Sequence, residues 1–92
     1  MITLEKRIQR SDGILTQRAS DTQVLLNPDT GNYYALNEVG AKVWELCDGK
    51  RTVSDMVSAI CQEYDSPVDT IEEDVLEILR DLADEKLVEE NI

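Results

Sequence analysis

Residues Asn27–Asn37, NPDTGNYYALN, decide how the rest of the chain is arranged. Pro28-Asp29-Thr30-Gly31 is a turn: proline presets φ, the aspartate can bond its own backbone, and Gly31 tolerates positive φ. Val24-Leu25-Leu26 before it and Asn32-Tyr33-Tyr34-Ala35-Leu36 after it are rich in strand formers, so the unit reads as a β-hairpin. Asn37 stands where a helix N-cap belongs. Glu38 follows in the first turn, where the helix dipole favours a negative charge. Strand hands over directly to helix.

Upstream, Asp12-Gly13 marks a turn, Ile14–Arg18 a strand and Ala19–Thr22 a polar turn. With Gln23–Leu26 and Asn32–Leu36 this makes a three-stranded antiparallel meander, the Asn32–Leu36 strand at one edge. Residues 1–11 alternate weakly at Ile2, Leu4 and Ile8 amid Lys6, Arg7 and Arg10, and read either as a weak strand or as a disordered arm. Downstream lie three helices. The first runs from Glu38 to Cys47 on an apolar stripe of Val39, Val43, Leu46 and Cys47, with Trp44 at its border; Asp48-Gly49 ends it. The second starts at Thr52, where Thr52-x-x-Asp55 forms a capping box, and buries Val53, Val57, Ile60 and Tyr64. In the third, Ser66 is the expected N-cap, Pro67 the first helical residue and Asp69 the partner in the box, with an end at Glu85 or Lys86. The expected fold is therefore α+β and winged helix-turn-helix-like: a three-stranded antiparallel sheet followed by three helices, residues 12–92 forming a single domain behind the 1–11 arm.

The third helix carries more apolar surface than a one-sided helix needs. At 100° per residue, Ile71, Val75, Ile78 and Leu82 fall within about 60° of one another. Leu79 sits beside them, and Leu76, Ala83 and Leu87 widen the arc to about 180°, where about 100° suffices. The surplus sector at Leu76, Leu79 and Ala83, bordered by Glu72 and Arg80, either meets a second element of the chain or lies open to a partner.

Ninety-two residues support one modest core. No apolar run approaches the ~18 residues of a membrane span, and MITLEKRIQR lacks the apolar centre of a signal peptide, so a cytoplasmic protein without membrane contact is expected. Cys47 and Cys61 fall at core-facing helical positions and read as free thiols. The net charge is −11 and is unevenly spread: residues 65–92 hold two basic residues against eleven acidic, a balance of −9. There is no histidine, no Cys-x-x-Cys, no Gly-rich phosphate loop and no G-x-S-x-G. The carboxylates lie on an exposed helix face without a D-x-D-x-D-G loop. Catalytic residues, a cofactor and a metal are accordingly not expected. Winged-helix folds often bind DNA, but a third helix offering Arg80 and Lys86 among so many carboxylates would be repelled by phosphate. A DNA-binding domain and a general protein–protein adaptor are the alternatives to the reading that follows.

The run LLNPDTGNYYALNEVGAKVWELCDGKRTV, Leu25 to Val53, followed by Ser66-Pro67 and a long acidic helix ending in Lys86-Leu87-Val88, resembles the PqqD-like domains, also called RiPP recognition elements. The resemblance covers roughly residues 12–89. Its most specific parts are Thr30-Gly31-x-Tyr33-Tyr34-x-Leu36-Asn37, the Gly40…Trp44 pair and Asp48-Gly49. It implies a non-catalytic protein that binds the leader segment of a ribosomally made precursor peptide. The leader would lie as an added strand along the third strand and pack against the third helix, with main-chain bonds giving affinity and alternate pockets giving specificity. The peptide-binding residues implied are Asn32, Tyr33, Tyr34, Ala35 and Leu36 on the strand, and Glu72, Leu76, Leu79, Arg80 and Ala83 on the helix. A leader peptidase or another maturation enzyme is the implied second partner. The aromatic strand is similar to the leader-binding proteins of lasso-peptide clusters more than to those for pyrroloquinoline quinone.

Overall fold

The Asn27–Asn37 stretch folds as its residues dictate, although a different side chain holds the turn. In the computed structural model, which describes residues 2–20 and 22–91, the Asn27 carbonyl accepts from Gly31 N at 2.7 Å and Gly31 takes φ +77. The side-chain bond belongs to Asn27, whose Oδ1 accepts from Asp29 N at 3.0 Å. The expected Asp29 bond is replaced by one reaching forward from the strand. Met1 of the expected arm, Asp21 of the expected Ala19–Thr22 turn and Ile92 lie outside the described residues.

The elements in order are β1 (Arg7–Arg10), β2 (Leu15–Ala19), β3 (Thr22–Asn27), β4 (Asn32–Leu36), α1 (Glu38–Leu46), β5 (Asp48–Thr52), α2 (Val53–Cys61), α3 (Val68–Asp84) and β6 (Val88–Asn91). The meander forms as expected: β2, β3 and β4 pair antiparallel in that order, with Leu25 opposite Tyr34 and Leu26 opposite Tyr33. Alternation puts Leu25, Asn27, Tyr34 and Leu36 on the core face. Leu15, Leu26 and Tyr33 share a cross-strand row on the other face, where Leu15 is 56% and Tyr33 71% exposed.

A second sheet corrects the three-strand expectation, while the α+β class holds. β1 is its middle strand, antiparallel to both β5 and β6. Ile8 at its centre is fully buried, so the strand alternative for residues 1–11 is the one that forms over Arg7–Arg10. α1 ends at its C-cap Cys47, whose N–H donates to the Trp44 carbonyl at 3.2 Å, and the Asp48-Gly49 pair expected to stop it opens β5 instead. Gly49 has φ +79, a conformation that favours glycine, and a Cβ there would crowd Gln9 of β1 at 2.9 Å and Asn91 of β6 at 3.1 Å. Asn91 Nδ2 donates to the Gly49 carbonyl at 2.6 Å.

The helix ends follow local chemistry with one exception. Asn37 Oδ1 accepts from Gly40 N at 2.8 Å, the expected N-cap. Both arms of the Thr52–Asp55 capping box are made, each at 3.1 Å. At the end of α1, Arg10 donates to the Trp44 and Glu45 carbonyls at 3.2 and 3.1 Å and lies over the buried Trp44 ring. A cation is thereby placed against the negative end of the helix dipole. The Ser66 cap does not form. Pro67 is itself the N-cap, with extended ψ of 142 and no side-chain bond, so Val68 is the first helical residue and Ser66 falls one position too early. The core draws on every layer: Ile8, Leu25, Leu36, Val43, Met56, Ile60, Val75, Leu79, Leu82 and Leu87 are buried together. Among the described residues no helix is long and apolar enough to cross a membrane.

Candidate peptide-binding groove

Among the described residues, β4 has β3 on one side and no strand on the other. Its pleat turns Asn32, Tyr34 and Leu36 to one face and Tyr33 and Ala35 to the other; Leu36 is buried and Tyr34 half-buried, whereas Asn32, Tyr33 and Ala35 are exposed. α3 reaches β4 through the Tyr34 hydroxyl, which donates to Asp81 Oδ2 at 3.3 Å. Burial, then Asp81, then Glu77 and Glu85 hold the Tyr34 phenol above its ordinary value. It therefore stays a neutral donor facing carboxylates from three successive turns of α3. Toward the start of α1, Asn37, Val39, Asp74, Glu77 and Ile78 line a cleft of about 260 Å³. The chemistry available is that of a strand edge and of the slot between Tyr34 and the start of α1, acidic at Asp74, Glu77 and Asp81 and apolar at Val39 and Ile78.

Of the residues expected from the sequence, the strand set Asn32, Tyr33, Tyr34, Ala35 and Leu36 lies together on β4. The helix set does not join it. Leu79 is fully buried and Ile78 only partly so, the reverse of their expected roles. α3 is covered from both sides of Val75, which centres its buried arc between Ile71 and Leu82 on one side and Leu79 on the other. Glu72, Leu76, Arg80 and Ala83 stand roughly 100–180° around the helix from Asp81, on the flank away from Tyr34. Arg80 and Ala83 line a different cleft, of about 470 Å³, with Ile2, Asp84 and Glu90. Asp81 reaches β4 through Tyr34, and Glu77 and, just past the end of α3, Glu85 act on the same hydroxyl, while Asp74, Glu77 and Ile78 line the cleft with Asn37 and Val39 at the start of α1. Sequence reasoning passed over them because they read as a solvated face. Their recurrence at three- and four-residue spacing around Ile78 was the available signal.

A larger cleft, about 620 Å³, opens between the β1–β2 connection and α1, with Arg10, Trp44 and Cys47 among its lining. It holds no reactive group. Arg10 is engaged by α1, and burial pushes the Cys47 thiol up to about 12.

The model of the family described as Coenzyme PQQ synthesis protein D (PqqD) matches residues 22–88. A PqqA binding protein of Bradyrhizobium diazoefficiens is 34% identical over 67 residues, 73% of this chain and 63% of that protein, so the matched stretch spans just under two thirds of the relative's length. Among solved structures, TbiB1 in complex with the TbiA(beta) leader peptide is 36% identical with a TM-score of 0.78, covering 88% of this chain and 94% of that one. The PqqD truncation of Methylobacterium extorquens PqqCD, a functional and stand-alone RiPP recognition element, has a TM-score of 0.80 at 26% identity, covering 97% and 95%. With the family model spanning most of the chain and both structures sharing its fold, the chain belongs to the PqqD family.

Proposed function

We propose that this protein binds, without catalysis, the leader segment of a ribosomally synthesised precursor peptide and delivers it in the cytoplasm to a leader peptidase or another maturation enzyme. The observation that carries this is the open edge of β4, tied to α3 by the Tyr34–Asp81 hydrogen bond. An extended peptide added there gains main-chain bonds from β4 and places alternate side chains in the slot. α3 is about 25 Å long at 1.5 Å per residue, which an extended strand covers in about eight residues. Two relatives support the reading: one is a PqqA binding protein and another is solved with a leader peptide. The contact residues we assign are Asn32 to Leu36 together with Val39, Asp74, Glu77, Ile78 and Asp81.

The same geometry disfavours nucleic acid, because the slot is walled by carboxylates. Fluorescence polarisation with a labelled leader of the precursor made in the same pathway, and with mixed-sequence duplex DNA at ~150 mM salt, tests both statements. Saturable leader binding with no DNA binding is expected; tight DNA binding with no leader binding would overturn the assignment. Proline at Asn32, Tyr34 and Ala35, one at a time, locates the site, since proline on the outward-facing register removes a donor the peptide needs.

A further inference from the structure

The slot beside β4 has a chemical bias that reaches past peptide binding as such. We propose that the segment it accepts is basic, an extended stretch presenting Lys or Arg toward α3 at alternate positions; this rests on the β4 edge being the peptide site. Asp81 Oδ2 takes the Tyr34 hydroxyl at 3.3 Å, and Glu77 and Glu85, four residues to either side of Asp81, act on the same group. Asp74 continues the row into the Val39–Ile78 cleft. Among the described residues, the ion pairs are Lys42–Glu63 and Arg51–Asp48, both away from this row. The cations nearest in sequence, Arg80 and Lys86, line other clefts, Arg80 with Ile2 and Glu90 and Lys86 with Asp12 and Asp29. The charges of the row are thus left for a partner to neutralise.

Spacing decides what kind of cation fits. Among the described residues no three carboxylates converge as metal ligands must; the row is linear. Residues four apart on a helix are about 6 Å apart along its axis, and alternate residues of a strand are about 6.6 Å apart on one face. A strand with cations at alternate positions therefore runs nearly in step with Glu77, Asp81 and Glu85, with Asp74 about 4.5 Å before Glu77 along the axis. The Val39–Ile78 end takes one apolar side chain. A second copy of this chain is the wrong occupant, because edge-to-edge pairing through β4 would bring two acidic rows together. Like charge along an open edge is a means of blocking self-pairing while admitting an oppositely charged strand.

A display library of random twelve-residue peptides, selected on the immobilised protein, tests this across all side-chain chemistries at once. Selection is repeated on Ala35→Pro, Tyr34→Pro and Asn32→Pro, and on a triple variant Asp74→Asn, Glu77→Gln, Asp81→Asn, each checked for folding by circular dichroism. The expected result is enrichment of peptides with Lys or Arg at alternate positions. Their affinity should drop about tenfold on the triple variant, as three exposed charge pairs warrant, and should fall as salt rises from 50 to 500 mM. Enriched peptides that are neutral or acidic, and that lose binding only with the edge prolines, would overturn the basic-segment proposal and leave the peptide site standing. Enriched peptides indifferent to every folded edge variant, or no enrichment at all, would overturn both.

Discussion

The two three-stranded sheets of this protein are equal in strand number and opposite in construction. β2, β3 and β4 follow one another along the chain, and much of their outward face remains exposed, Leu15 and Tyr33 included. β5, β1 and β6 come from the middle, beginning and end of the chain, and Ile8 and Val88 are buried between that sheet and the helices. One sheet forms from neighbouring segments and ends in an open edge. The other closes only when the whole chain has come together, and it holds the N-terminal strand, α1 and the end of α3 in one body. The discontinuous sheet ties the two ends of the chain together, and the local sheet carries the edge we propose for the peptide.

The sharpest contrast is in thiol chemistry. The Cys47 carbonyl accepts from Arg10 N at 3.1 Å, so this residue reports on closure of the discontinuous sheet. Its thiol, pushed up to about 12 by burial, is neutral at pH 8, whereas an unfolded cysteine ionises near 8.5. Because the folded value is the higher one, the associated stability is present below about pH 8.5 and is lost as pH rises toward 12. At pH 8 Cys47 should react with a thiol reagent at least about a thousandfold slower than in the unfolded chain, with the half-buried Cys61 reacting first. Comparable rates at the two sites would break the contrast.

Mutations extend it in descending order. Ile8→Ala should cost about 2–5 kcal/mol by leaving a cavity where three layers meet, measured by denaturant unfolding. Gly49→Ala should cost about 1–3 kcal/mol, since it combines positive φ with a clash at Gln9. Tyr34→Phe removes one partly exposed hydrogen bond and should cost about 0.5–1 kcal/mol, while altering peptide affinity. Tyr33→Ala should stay within about 0.5 kcal/mol of the parent. If Tyr33→Ala destabilises more than Ile8→Ala, the division between the two sheets fails.

What the sequence made legible follows the same division. The hairpin, the Asn37 cap and the Thr52–Asp55 box depend on residues within a few positions of each other, and local chemistry is enough to fix them. The second sheet was hidden because its strands are four or five residues long and polar, as in DGKRT and VEEN, and each becomes a strand only by pairing with β1. The same limit applied to α3. Periodicity located its apolar arc but could not say which flank would face β4, because that depends on how the helix docks. Ile78 and Leu79 therefore exchanged burial, and the acidic flank that carries Asp81 to Tyr34 read as a solvated face.

Backbone amide exchange and chemical shifts, recorded on the free protein and with its precursor leader bound, test the central claim most directly. The account predicts new protection at alternate amides of Asn32–Leu36, with shifts at Val39, Asp74, Glu77, Ile78 and Asp81. Unchanged β4 amides, with shifts confined to Glu72, Leu76, Arg80 and Ala83, would contradict it and move the peptide to the other flank of α3.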